Sequence, residues 1–339
     1  MQQPRQAGRS TATGIVAAVL GIVLFAWFVR EAGAVEIWNK VRQVGWGLPI
    51  IIAIAGLRFG ARAVAWSVCI ELPHALPVTE AFAGVVCGDA FGNLTPLGPI
   101  VGEPAKAAYV RRTVPLGPAL TALAIENLIY TISVIAMIAA AMIALIFYFP
   151  LPAALVETSE ILIGAIVGGL LIGLLVLWRR PTLISSTLGK LIPCGSPMHT
   201  RVDAIRAIEE QIHGFAIRRR GAAITVAVAE LVFHALGVLE VYVTWWMMMG
   251  TPPSVLIAFV LEGANRLVTV VFKIVPLRLG VDETSTGGFT QLLGYGIAPG
   301  ATLAIIRKAR VLFWILIGTT LLVRRGLSPS RILQAPELR

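Results

Sequence analysis

The chain has 339 residues, of which 57% are apolar and only 14% charged, with a mean hydropathy of +0.83. Soluble domains carry about a quarter charged residues, so this composition excludes an ordinary soluble enzyme and belongs to a polytopic membrane protein. The net charge of +10 does not point to nucleic acid, because half of the excess falls in one stretch between apolar runs, Arg179 to Arg220.

Taken in chain order, the apolar runs are Gly14 to Val29, Leu48 to Ile70, Leu116 to Phe149, Ile161 to Trp178, Ala222 to Met249, Val255 to Val275 and Ala301 to Val323. Most are long enough to cross a hydrocarbon core of about 30 Å, which takes about 20 helical residues. The first run is followed by Ala32-Gly33-Ala34, as a secretory signal would be, but it is long for one and the apolar pattern continues beyond it. Two regions, 78–112 and 255–298, are polar and broken by Pro and Gly. The basic stretch Arg179 to Arg220 holds eight Lys or Arg against Asp203, Glu209 and Glu210, which places it on the cytoplasmic side against anionic phospholipid. Within it, Val202, Ile205, Ile208, Ile212 and Phe215 recur at helical spacing among charges, as in a helix lying on the inner surface or a solvated connector.

The remaining loops then follow. Leu151 to Glu160 has no Lys or Arg and reads as external, while Arg5 and Arg9 at one end and Arg324 and Arg325 at the other put both termini inside. The count closes only if each broken region enters and leaves on one side. The expected fold is all-α, about six full spans plus two re-entrant helical hairpins, although Arg307, Lys308 and Arg310 would then sit at the outer interface. The two broken regions also share a pattern: Pro96 to Glu103 and Pro276 to Glu283 both read P-L-x-x-x-V-x-E, each before a long apolar helix. In this topology the helices preceding them run in opposite senses, so the copies form an inverted repeat within one transmembrane domain spanning 1–339. Repeat one covers about 47–149, the basic loop 179–220, and repeat two about 222–325. Inverted repeats with broken helices are a transporter architecture with the substrate near the midplane.

Ionisable residues inside apolar segments are costly and therefore candidates for function. Glu103 and Glu283 lead, each expected at the amino end of a half-helix and facing one polar cavity; helix capping is the plainer role for either alone. Arg58 and Arg62 share one face of the second run, and Lys106 and Arg278 flank the breaks. Asp89 and Glu126 lie in or beside the first repeat. Glu262 and Arg266 read as a buried pair, and Glu230 with His234 as a satisfied polar pair. Cys69, Cys87 and Cys194 form no CxxC and read as free thiols. No P-loop, Rossmann fingerprint or HExxH is present, so neither a cofactor nor a metal is expected.

Asn93 to Gly98 followed by Gly102-Glu103-Pro104-Ala105-Lys106, and Val275-Pro276 through Leu279-Gly280-Val281-Asp282-Glu283 with Leu293 to Gly296 and Arg307, resemble the two signatures of the lysylphosphatidylglycerol synthase transmembrane region, or flippase-like domain, family. The resemblance implies a multi-span domain that moves aminoacylated phosphatidylglycerol between leaflets in some members, and points to Glu103, Lys106, Glu283 and Arg307. This chain departs from the family at Glu126-Asn127 and Leu277-Arg278-Leu279, which leaves its substrate open. The soluble aminoacyl-transferase domain of some members has no counterpart, so synthesis of lysyl-lipid is not expected. The resulting expectation is a bacterial inner-membrane translocator of a charged-headgroup lipid, working beside lipid-biosynthesis enzymes. An intramembrane lipid phosphatase or glycosyl-lipid transferase, or a membrane scaffold, are the alternatives.

Overall fold

The computed structural model describes residues 34–94, 98–151, 217–272 and 280–326, with Arg278 and isolated positions between 164 and 215. The run Gly14 to Val29, residues 152–163, most of the run Ile161 to Trp178, most of the basic stretch, Cys194 and residues 95–97, 273–277 and 279 lie outside the described residues.

Nine helices form the described residues: α1 (Ala34–Val44), α2 (Gly47–Cys69), α3 (Val78–Leu94), α4 (Gly98–Val110), α5 (Leu116–Tyr148), α6 (Arg220–Met249), α7 (Val255–Val271), α8 (Val281–Leu292) and α9 (Ile297–Arg324). Local chemistry sets the boundaries. Pro115 precedes α5, Gly250 at φ +72° ends α6, and the Ser254 hydroxyl caps α7 by accepting the Ile257 amide at 3.2 Å. Among the described residues, α2, α5 and α6 are long and apolar enough to cross a membrane. Leu57, Phe147, Ile224 and Leu231 on them are more than 60% exposed, whereas arginine and glutamate are buried within; this polarity, apolar outside and charged inside, suits lipid rather than water. The chain is a helical membrane-embedded protein.

Two stretches repeat one order of helices. From α2 to α5 the lengths are 23, 17, 13 and 33 residues, and from α6 to α9 they are 30, 17, 12 and 28. Their packing is reciprocal: α2 against α6, α3 against α9, and α7 against α5. Helices α2 and α6 run antiparallel, since Gly47 at the start of α2 meets Met247, and Arg219 before α6 donates to the Ile70 carbonyl at 3.0 Å. Glu80 near the start of α3 meets Arg325 just beyond α9, at 2.7 Å, so that pair is antiparallel too. At about 1.5 Å per residue α4 and α8 are about 20 and 18 Å long, too short to cross the core alone.

The hairpin α3–α4 closes on glycine. Gly88 faces Gly102 and Gly92 faces Gly98, so closely that a Cβ on Gly102 would stand 2.9 Å from the Gly88 carbonyl oxygen. Where lipid competes equally for apolar surface, such close backbone approach is what drives helix association. The larger core lies beneath, around Trp66, Ala105, Val110 and Leu123, where the Trp66 indole donates to the Ala119 carbonyl at 3.3 Å.

Helix α1 was not apparent in the apolar runs; Val44 at its end packs on Ile51 and Ile306.

Candidate functional site: a charged cavity between the halves

Where α2, α3, α4, α5, α6, α7 and α9 converge they line a half-open cavity of about 310 Å³. Arg58 and Arg62, one helical turn apart on α2, reach it together with Arg266 of α7 and Arg310 of α9. Asp89, Asn93, Glu103 and Lys106 come from the glycine-closed hairpin. Arg278, whose φ of +45° puts a non-glycine residue in the left-handed region, also lines it.

Each buried guanidinium is held from behind. Arg58 donates to Glu240 at 2.7 Å and to Glu262 at 3.4 Å; Arg266 donates through Nε to Glu262 at 2.9 Å; Arg310 donates to Glu240 at 3.0 Å. Arg62 donates to Glu126 at 2.9 Å and to Asn127 at 3.2 Å, and its Nε lies 3.9 Å from Glu230. Burying charges this way costs several kcal/mol per ion unless each is paired, and the carboxylates meet that requirement without lining the cavity. Phe233 lines the cavity with the guanidiniums of Arg58 and Arg266 at 4.7 and 4.9 Å from its ring centroid, and that of Arg62 lies 3.9 Å from the Tyr130 ring centroid. Cation–π contact of this kind adds about 2 kcal/mol when desolvated and fixes the planes of the guanidiniums.

Of the nine residues singled out from sequence, Arg58, Arg62, Asp89, Glu103, Lys106 and Arg278 line the cavity, and Glu126 stands behind Arg62. Glu283 and Arg307 do not line it. Glu283 pairs with Lys308, and Arg307 approaches Glu262 at 3.6 Å, so the two glutamates of the shared pattern do not face one cavity. Glu283 does sit in the first turn of its helix, after Gly280 at φ +75°. Glu103 instead lies inside α4, because that helix already starts at Gly98, with Pro99 where an amide is dispensable. Glu103 pairs with Lys106 at 2.7 Å one turn on.

Three further expectations are corrected or completed. Arg307 and Lys308, expected at the outer interface, are buried in the protein, and Arg310 is paired with Glu240. His234 meets the Ser133 hydroxyl at 2.9 Å, and neither Glu230 oxygen has a hydrogen-bond partner among the described residues, so these two do not satisfy each other. Glu262 and Arg266 form the buried pair their spacing predicts. Sequence reading missed Tyr130, Phe233, Glu240 and Asn265. A buried Glu240 in a run as apolar as α6 was the one available signal, as an ionisable residue without a local partner.

The comparisons agree with the residue patterns. The family model described as "Lysylphosphatidylglycerol synthase TM region" matches residues 14–318. No curated protein and no solved structure matches the chain. With nearly its whole length covered, including every element that lines the cavity, the chain belongs to the lysylphosphatidylglycerol synthase transmembrane-region family.

Proposed function

We propose that this protein is a lipid translocator of the bacterial inner membrane, which carries the charged headgroup of a lipid between leaflets through the cavity. The observation that carries the reading is a ring of buried, fixed charge, drawn from both helix quartets, inside a protein whose outer surface is apolar. A headgroup crossing the bilayer centre loses its water, and preset ionic partners are what offset that loss. In this reading the quartets α2–α5 and α6–α9 are inverted repeats and α3–α4 and α7–α8 are re-entrant hairpins. The reciprocal antiparallel packing and the shortness of α4 and α8 support it. Non-spanning backbone is stable in a membrane where protein buries it or a wet cavity reaches it. Both termini and the basic stretch 179–220 are cytoplasmic, the latter against anionic phospholipid.

The test is reconstitution in liposomes containing a trace of headgroup-fluorescent lipid, followed by dithionite quenching from outside. Active protein exposes the inner-leaflet fraction to quenching. A protected inner fraction at every protein density contradicts the proposal, and release of phosphate or transfer of sugar in the same vesicles replaces it with an intramembrane enzyme.

A further inference from the structure

The sign of charge at the cavity wall differs from the sign of the cluster as a whole. Buried around the site are as many carboxylates as cations, but they are not mixed. Six cationic side chains face the cavity, Arg58, Arg62, Lys106, Arg266, Arg278 and Arg310, against two carboxylates, Asp89 and Glu103. Glu126, Glu230, Glu240 and Glu262 stand behind the arginines and do not reach the wall. Of the two carboxylates that do, Glu103 is bonded to Lys106, and one oxygen of Asp89 accepts from the Asn93 amide at 3.1 Å.

We propose that the cavity binds the phosphate of an anionic lipid headgroup and turns away a headgroup of net positive charge. This rests on the translocator reading only for the lipid's passage, not for its binding. A guanidinium has five N–H donors in a planar fork that matches two phosphate oxygens. Arg58 gives one terminal nitrogen to each of two carboxylates, and Arg266 turns Nε and one terminal nitrogen to Glu262. Both keep donors for a ligand, and their contacts with the Phe233 ring, together with the carboxylates, restrain them before the ligand arrives. A phosphate entering such a wall needs little rearrangement of protein. An ammonium-bearing headgroup meets six cationic side chains against two carboxylates, Asp89 and Glu103, each already bonded through one oxygen, while the other four carboxylates stand behind arginine. The volume of about 310 Å³ is at the small end of ligand sites, about 300 to 1,000 Å³, and fits a headgroup rather than acyl chains.

The experiment is equilibrium binding to the full chain in detergent, by calorimetry, with four probes: short-chain phosphatidylglycerol, its lysyl ester, short-chain phosphatidylcholine and inorganic phosphate. Phosphatidylglycerol is expected to bind about tenfold or more tightly than the lysyl ester, the difference worth at least one charge-assisted hydrogen bond. Its affinity should fall with added salt. Arg278→Gln, at the better-exposed edge of the wall, is expected to weaken it several-fold and, because Asp282 loses its ionic partner, to lower the melting temperature; Asp89→Asn is expected to tighten it while melting as the parent does. Equal or tighter binding of the lysyl ester overturns the proposal, as does an Asp89→Asn variant that binds phosphatidylglycerol more weakly. Inorganic phosphate bound as tightly as the lipid overturns the assignment to a lipid headgroup. Should phosphatidylglycerol bind as expected while vesicles show no lipid movement, the translocator reading fails and this one stands. Lipid movement that favours the lysyl ester has the converse meaning.

Discussion

The hairpins α3–α4 and α7–α8 occupy corresponding places in the two quartets but treat charge differently. In the first, helices closed on Gly88, Gly92, Gly98 and Gly102 leave Asp89, Glu103 and Lys106 at the cavity wall. In the second, Glu262 is buried among Arg58, Arg266 and Arg307, Asp282 is bonded to Arg278, and Glu283 to Lys308. The close contact of that half has moved to α8–α9, where a Cβ on Gly300 would meet the Thr286 carbonyl oxygen at 2.3 Å. One hairpin thus offers carboxylates to the cavity, and the other offers Arg266 and Arg278 while keeping its carboxylates in ion pairs off the wall. Two stretches with the same order of helices need not give two equal half-sites.

The difference is broken most severely at the arginines. Among the described residues Arg62 alone stands within ion-pair distance of Glu126 and Glu230, whereas Glu262 has three cationic neighbours. Arg62→Met strands two buried carboxylates and is expected to destabilise by about 3–5 kcal/mol. Arg266→Met leaves Glu262 two partners and is expected to cost clearly less. Thermal unfolding in detergent compares them, and equal losses would show that charge is shared evenly across the site.

A smaller effect is expected in the first hairpin. Gly88→Val forces a side chain against Lys106 and the Gly102 carbonyl oxygen, with a Cβ 2.3 and 2.7 Å from them. Overpacking of this kind costs about 1–3 kcal/mol. Gly288→Ala in α8 meets open space and is expected to be neutral or slightly stabilising, since alanine is favoured over glycine in a helix by about 1 kcal/mol. The same melting measurement checks both.

The smallest structural change sharpens the comparison functionally. Glu103→Gln and Glu283→Gln keep shape and an acceptor for Lys106 and Lys308 but leave each buried ammonium without its counter-charge, so a loss of about 1–2 kcal/mol is expected for either, less than for Arg62→Met. Dithionite kinetics in vesicles are expected to slow several-fold for Glu103→Gln, at the wall, and to change little for Glu283→Gln, which lies off it. Equal slowing would restore the two glutamates to equivalent roles.

How far the sequence reached follows the range of the interaction. Apolar runs located α2, α5, α6, α7 and α9 to within a few residues, because length and hydropathy are local properties; Leu116 to Phe149 became Leu116–Tyr148. The Pro- and Gly-broken region 78–112 resolved into α3 and α4. Most of the singled-out charges proved to line the cavity, since an ionisable group in an apolar run has few other places to go. Partners were not legible. Arg58 and Glu240 are 182 residues apart, and Lys308 and Glu283 meet across a turn that no helical spacing encodes. The Glu230–His234 expectation failed for the same reason: spacing shows which residues share a helix face, while the choice of partner is made by the helix packed opposite, here Arg62 of α2 and Ser133 of α5.

The central claim is that a lipid headgroup enters the cavity between the two quartets. A lipid with a photoreactive headgroup, crosslinked to the protein in vesicles and located by peptide mass spectrometry, tests it most directly. The account predicts labelling of cavity residues from both sides, around Tyr130 and Phe233 and between Asn265 and Arg278, displaced by excess unlabelled lipid. Labelling confined to the apolar exterior, at residues such as Leu57, Ile224 and Leu231, would contradict it.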